Sequence, residues 1–85
     1  MELTGLVGQI VTRQDLARFV AALAEAAESA ESLDWENTTL PSFLEALAAS
    51  IDSMDNAFRN RGETVPEQPS WQLVGQMLYT ATTYE

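Results

Sequence analysis

The chain contains no cysteine, no histidine and no lysine. Without cysteine, neither a disulfide framework nor a thiolate zinc site can form. Without histidine, the usual general base and the commonest metal ligand are gone. Without lysine, Schiff-base chemistry and the lysine of a phosphate-binding loop are gone as well. Carboxylates, hydroxyls and four arginines remain, a set that argues against an enzyme. Glycine is also scarce, at four residues, and there is neither a glycine-rich phosphate loop nor a nucleophile elbow.

Positive charge is the next shortage. Arg13, Arg18, Arg59 and Arg61 stand against 13 acids, for a net charge of −9 at pH 7. Such a surface repels phosphate backbones and anionic lipid, so neither nucleic acid nor membrane is expected as a partner. It keeps a protein soluble and steers it toward basic partners. Apolar runs fall well short of the roughly 20 residues of a membrane span. Met1-Glu2-Leu3-Thr4 has no basic lead into an apolar run, so no signal peptide is expected and the location is read as cytoplasmic.

An apolar fraction of 46%, with two Trp, two Tyr and three Phe in 85 residues, suits one folded domain over 1–85 with one small core. Leu3, Leu6, Val7, Ile10 and Val11 follow helical spacing, but Gly5 and Gly8 weaken it, leaving a short helix or an extended segment. Thr12-Arg13-Gln14-Asp15 is a near capping box. The helix it opens should bury Leu16, Phe19, Val20, Leu23 and Ala27 and fade near Ser29. A polar turn over Ser32–Thr39 precedes a long helix from about Leu40 to Arg59, with Phe43, Leu44, Leu47, Ile51, Met54 and Phe58 on one side. Pro41 fits its first turn, and Arg59, Arg61 and Gly62 suit its end. Trp35 is placed to staple the start of this helix against Phe43 or Leu44. After a loop stiffened by Pro66 and Pro69, Ser70 caps a last helix from Trp71 to about Thr83. The fold expected is all-α: a compact bundle of three main helices, with a short fourth at the N-terminus if that segment is helical.

The last helix is unusual. Trp71, Leu73, Val74, Met77, Leu78, Ala81 and Tyr84 cover a wider arc than the stripe of a surface helix, and no charge occurs between Gln68 and Tyr84. It is either central in the bundle or partly covered by another chain. A division of labour is expected, with Val74 and Leu78 facing the core and Leu73, Met77 and Tyr84 facing a partner.

The acids read as solvated charge rather than as carboxylate metal sites. Glu45 and Asp52 stand seven apart and Asp52 and Asp55 three apart, but di-iron bundles pair glutamate with histidine. A calcium loop starting at Asp34 would need glycine where Thr39 stands, and only Glu45 matches its end. No metal and no cofactor is expected. Trp35, Phe43 and Trp71 read as structural aromatics, and Arg59 and Arg61 as ion-pair partners of Asp55 and Glu63.

Thr12-Arg13-Gln14-Asp15-Leu16 with Phe19, then Trp35-Glu36-Asn37-x-Thr39-Leu40 with Phe43-Leu44-Glu45-Ala46-Leu47, lead on to Met54-Asp55. Gly62-Glu63-x-Val65-Pro66-Glu67-Gln68-Pro69-Ser70-Trp71 follows, and Tyr84-Glu85 closes the pattern. From Thr12 onward the chain resembles a family of small bacterial proteins, mostly actinobacterial, known as a domain of unknown function. Similar members often carry an aromatic pair near Ala57-Phe58 and another aromatic at Ser50; only Phe58 is present here. The resemblance implies an all-α cytosolic bacterial domain and carries no activity onto any residue.

The function expected first is a non-catalytic interaction module whose partner is another protein or a second copy of the chain. The alternative is an acidic inhibitor or immunity protein that covers a basic site by electrostatic mimicry. An isolated carboxylate enzyme ranks third.

Overall fold

A computed structural model describes residues 3–84 of the chain. Met1, Glu2 and Glu85, which enter the N-terminal reading and the end of the resemblance, lie outside the described residues. Five α-helices and no strand occur among the described residues: α1 (Leu3–Gly8), α2 (Arg13–Ala27), α3 (Leu40–Asp52), α4 (Met54–Asn60) and α5 (Trp71–Ala81), with a 3₁₀ turn at Ala30–Asp34 between α2 and α3. The N-terminal segment is therefore helical, and it buries Leu3 and Val7.

Local chemistry opens the main helices where it was expected to. Thr12 accepts a hydrogen bond from the Asp15 backbone N–H, while the Asp15 carboxylate accepts from the N–H of Thr12 and of Val11. Thr39 and Ser42 make the same reciprocal pair at the start of α3, with Pro41 in the first turn. Ser70 accepts from the Leu73 N–H at the start of α5. Gly62, at φ 74°, lets the chain reverse after α4 as the Glu63 and Gly62 N–H groups donate to the Phe58 and Arg59 carbonyls.

The long helix expected over Leu40–Arg59 is instead two. Ser53 sits between α3 and α4 at φ −94°, ψ 7°, near the bridge region rather than in the helical one. Its hydroxyl accepts or donates at 2.7 Å with the Tyr84 hydroxyl and also reaches the Ala49 carbonyl. A serine that bonds the preceding turn bends helices, and here the bend coincides with a tie to the far end of α5.

The core lies where α1, α2 and α5 meet. Leu3, Val7, Ile10, Phe19, Leu23 and Ala26 are buried together, with Leu78 and Tyr79 of α5 packed against them. Phe19 and Tyr79 meet edge-on at 6.3 Å between ring centroids, and the Tyr79 hydroxyl bonds Thr4 at 3.0 Å. A Cβ at Gly75 would overlap Ile10 Cδ1, so the absence of a side chain there lets α1 approach α5 closely.

α5 packs against α1, α2 and α3, which makes it the central helix. α2 and α3 do not pack on each other, and α4 packs only on α3. Val20 and Ala27, expected in the core, are exposed because Phe19, Leu23 and Ala26 form the inward line of α2. On α3 the buried positions are Ala46 and Ser50, so small residues allow the close approach to α5. Leu44 and Ile51, expected on the inner face, are 51% and 45% exposed, and Leu40 at the helix start is 70% exposed. No helix among the described residues is long and apolar enough to cross a membrane.

Candidate functional site

The ends of two helices are finished by side-chain amides from elsewhere in the chain. Asn37 Nδ2 donates to the Ala81 carbonyl at 2.9 Å and to the Tyr84 carbonyl at 2.8 Å. The backbone N–H groups of Glu36 and Asn37 both donate to the Thr82 carbonyl. Gln72 Nε2 donates to the Gly8 carbonyl at the end of α1. These contacts satisfy helix-end carbonyls that would otherwise lack partners. They also pin the segment before α3 across the C-terminal end of α5, and that placement shapes the surface beside it.

With α2 and α3 both seated on α5 but apart from each other, an apolar groove of about 410 Å³ opens between them. Buried Leu23 and half-buried Leu78 line it with Val20 and Ala24 of α2 and with Leu40 and Phe43 of α3. Trp35 also lines it, half-buried against the core, so Trp35 and Phe43 both line this groove. Leu44 and Ile51 continue the α3 wall outward, one and three turns beyond Leu40.

A second cleft, about 450 Å³, separates α4 from α5. Leu73, Met77 and Tyr84 line it from the α5 side and Met54, Ala57 and Phe58 from the α4 side. Leu73 and Met77 of α5 and Tyr84 just beyond it are half-buried, and Tyr84 is tied to Ser53 through its hydroxyl. Val74 and Leu78 are half-buried on the same helix. Trp71 stands apart from both surfaces at 46% exposure, in the first turn of α5.

The charged groups are mostly paired locally or solvated. Three ion pairs occur among the described residues: Asp15 with Arg18, Asp55 with Arg59 at 2.9 Å, and Glu63 with Arg61 at 2.9 Å. Arg61 also lies over the Phe58 ring at 4.5 Å. The Asp15 carboxyl is held below the usual carboxylate value, chiefly by the backbone N–H groups of Val11 and Thr12 and also by Arg18. That perturbation belongs to a helix cap. No group of three or more carboxylates that could hold a metal ion converges among the described residues; Glu45, Asp52 and Asp55 belong to no such group.

The groove is the feature that periodicity missed. The signal was present in the row Leu40, Leu44, Ile51, whose partners on the buried side, Ala46 and Ser50, are small. Small residues on one flank of an apolar helix mark the side where another helix comes close.

A family model, described as a family of unknown function (DUF7660), matches residues 12–85, that is α2 onward. No curated protein and no solved structure matches the chain.

Proposed function

This chain belongs to that family of unknown function, DUF7660, and from that premise we propose that it is a non-catalytic protein-interaction module of the bacterial cytoplasm. One observation carries the reading: Leu40, Leu44 and Ile51 form an outward apolar row along α3, continuous with the α2–α3 groove. Single exposed leucines are ordinary, but a row joined to a groove is the pattern of a binding surface. A residue set without histidine, cysteine or lysine supports the non-catalytic part.

Two surfaces offer themselves to a partner. The α2–α3 groove is open and its walls are exposed side chains. The cleft with Leu73, Met77 and Tyr84 has α4 as its opposite wall. Affinity isolation of the tagged chain from its own host, beside Leu40→Ser/Leu44→Ser and Met77→Ser variants of unchanged helical content, tests the reading. A stoichiometric companion lost with the first variant assigns the groove, and one lost only with Met77→Ser assigns the cleft. No stoichiometric companion to the wild type would overturn the module reading.

The acidic-inhibitor reading has its own support in the net charge of −9, against which only three ion pairs are set among the described residues. Under that reading binding collapses in high salt while the Leu40→Ser/Leu44→Ser variant binds normally.

A further inference from the structure

The first helix of this chain is weaker than its place in the core calls for. Leu3 and Val7 of α1, with Ile10 just beyond it, make up half of the buried cluster of six. Yet α1 is only six residues long, below the length at which a helix stands unaided. Two of those six are the glycines Gly5 and Gly8. Neither position needs one. A Cβ at either would meet nothing within 4 Å, and Gly62 alone among the described residues has a positive φ. Alanine at both would strengthen the helix without a clash. A weakness that packing and backbone geometry do not require marks an element whose opening serves function.

The surface under α1 already receives a helix. Val7 and Ile10 sit over Gly75, whose missing side chain makes a notch in α5. Leu16 and Phe19 of α2 and Leu78 and Tyr79 of α5 belong to the same packed cluster. Residues 3–11 carry no charge. Two exposed side-chain bonds tie α1 down, Thr4 with the Tyr79 hydroxyl and Gln72 with the Gly8 carbonyl. The family match begins at Thr12, the cap of α2, so α1 lies outside it.

Resting on the interaction-module reading, we propose that α1 is a lid on the α2–α5 face. It opens as a unit, and the face it uncovers takes an uncharged partner helix with apolar residues at α1's own i, i+4, i+7 spacing. The chemistry of the occupant is that of the segment seated there. The closed lid lowers the partner's apparent affinity by the fraction of time the face is covered.

Hydrogen exchange on the full chain reads the opening. The Ile10 amide, bonded to the Val7 carbonyl, should exchange about a hundredfold or more faster than that of Tyr79. Gly5→Ala/Gly8→Ala should slow it about tenfold, and Thr4→Val/Gln72→Ala, which removes both ties, should speed it. A fluorescent peptide of residues 1–11 carrying Gly5→Ala/Gly8→Ala then probes the face. It should bind the Thr4→Val/Gln72→Ala chain tightest, the wild type next and the Gly5→Ala/Gly8→Ala chain weakest, about tenfold or more from first to last. NMR shifts should centre on Leu16 and Gly75, and the same peptide with Val7→Ser should not bind.

Exchange of Ile10 no faster than that of Tyr79 would overturn the proposal. So would equal binding to the three chains, binding to none, or shifts confined to α3 and α4. If the lid fails in any of these ways while the host companion is still lost with Leu40→Ser/Leu44→Ser, the module reading stands and only the lid is wrong.

Discussion

Asn37 ties the segment before α3 to the end of α5 through three hydrogen bonds. Its side-chain amide bridges the Ala81 and Tyr84 carbonyls, and its backbone N–H joins that of Glu36 on the Thr82 carbonyl. Thr82 itself is fully buried, and its hydroxyl donates to the Tyr79 carbonyl at 2.7 Å. Removing the amide strands two part-buried carbonyls at the end of the central helix. Asn37→Ala should therefore cost about 2 kcal/mol, read as a lower urea midpoint with an unchanged slope. Asn37→Asp should do no better, since a carboxylate cannot donate to a carbonyl. A midpoint within error of the wild type would show that α5 ends stably without this clamp.

At the scale of elements, α3 carries its apolar residues in a different sense from α1 and α2. α1 and α2 turn large side chains inward, whereas α3 meets α5 through Ala46 and Ser50 and leaves Leu40, Leu44 and Ile51 outside. A paired substitution separates this arrangement from an inward-facing leucine row. Leu44→Ser should change stability by less than about 1 kcal/mol, because the side chain gives up little burial. Ala46→Leu should destabilise by about 1–3 kcal/mol, because the added isopropyl group would not fit without moving α3 off α5. Thermal or denaturant melts of both variants give the comparison. The reverse order of effects would mean that α3 is rotated about its axis from the orientation described here. The break at Ser53 belongs to the same scale: it redirects α4 and opens the α4–α5 cleft in which Leu73, Met77 and Tyr84 sit.

For the whole molecule, the balance lies between one small core and a large uncompensated charge. The buried cluster is concentrated between α1, α2 and α5, while α3 and α4 add mainly a surface. Three ion pairs, each with at least one well-exposed partner, add little to stability. Self-repulsion of a −9 chain acts on the compact state more than on the unfolded one. Raising sodium chloride from about 10 to about 200 mM should thus raise the melting temperature by a few degrees, by screening that repulsion over the Debye length. A melting temperature that falls with added salt would instead mean that specific ion pairs outweigh the repulsion.

What the sequence by itself determined was local or additive. Thr12, Thr39 and Ser70 open helices because each cap's partner lies three residues away. Asp55 finds Arg59 across one turn, and Gly62 ends α4 through its own backbone freedom. Net charge and the missing residue types are sums that folding does not change. Tertiary structure decided the rest: the inward face of α3, the break at Ser53, and the clamp from Asn37 to carbonyls 44 and 47 residues away. The α2–α3 groove is also of this second kind. Periodicity reports which residues are apolar, but burial depends on which neighbour arrives, and α5 came close enough to α3 only along its line of small residues.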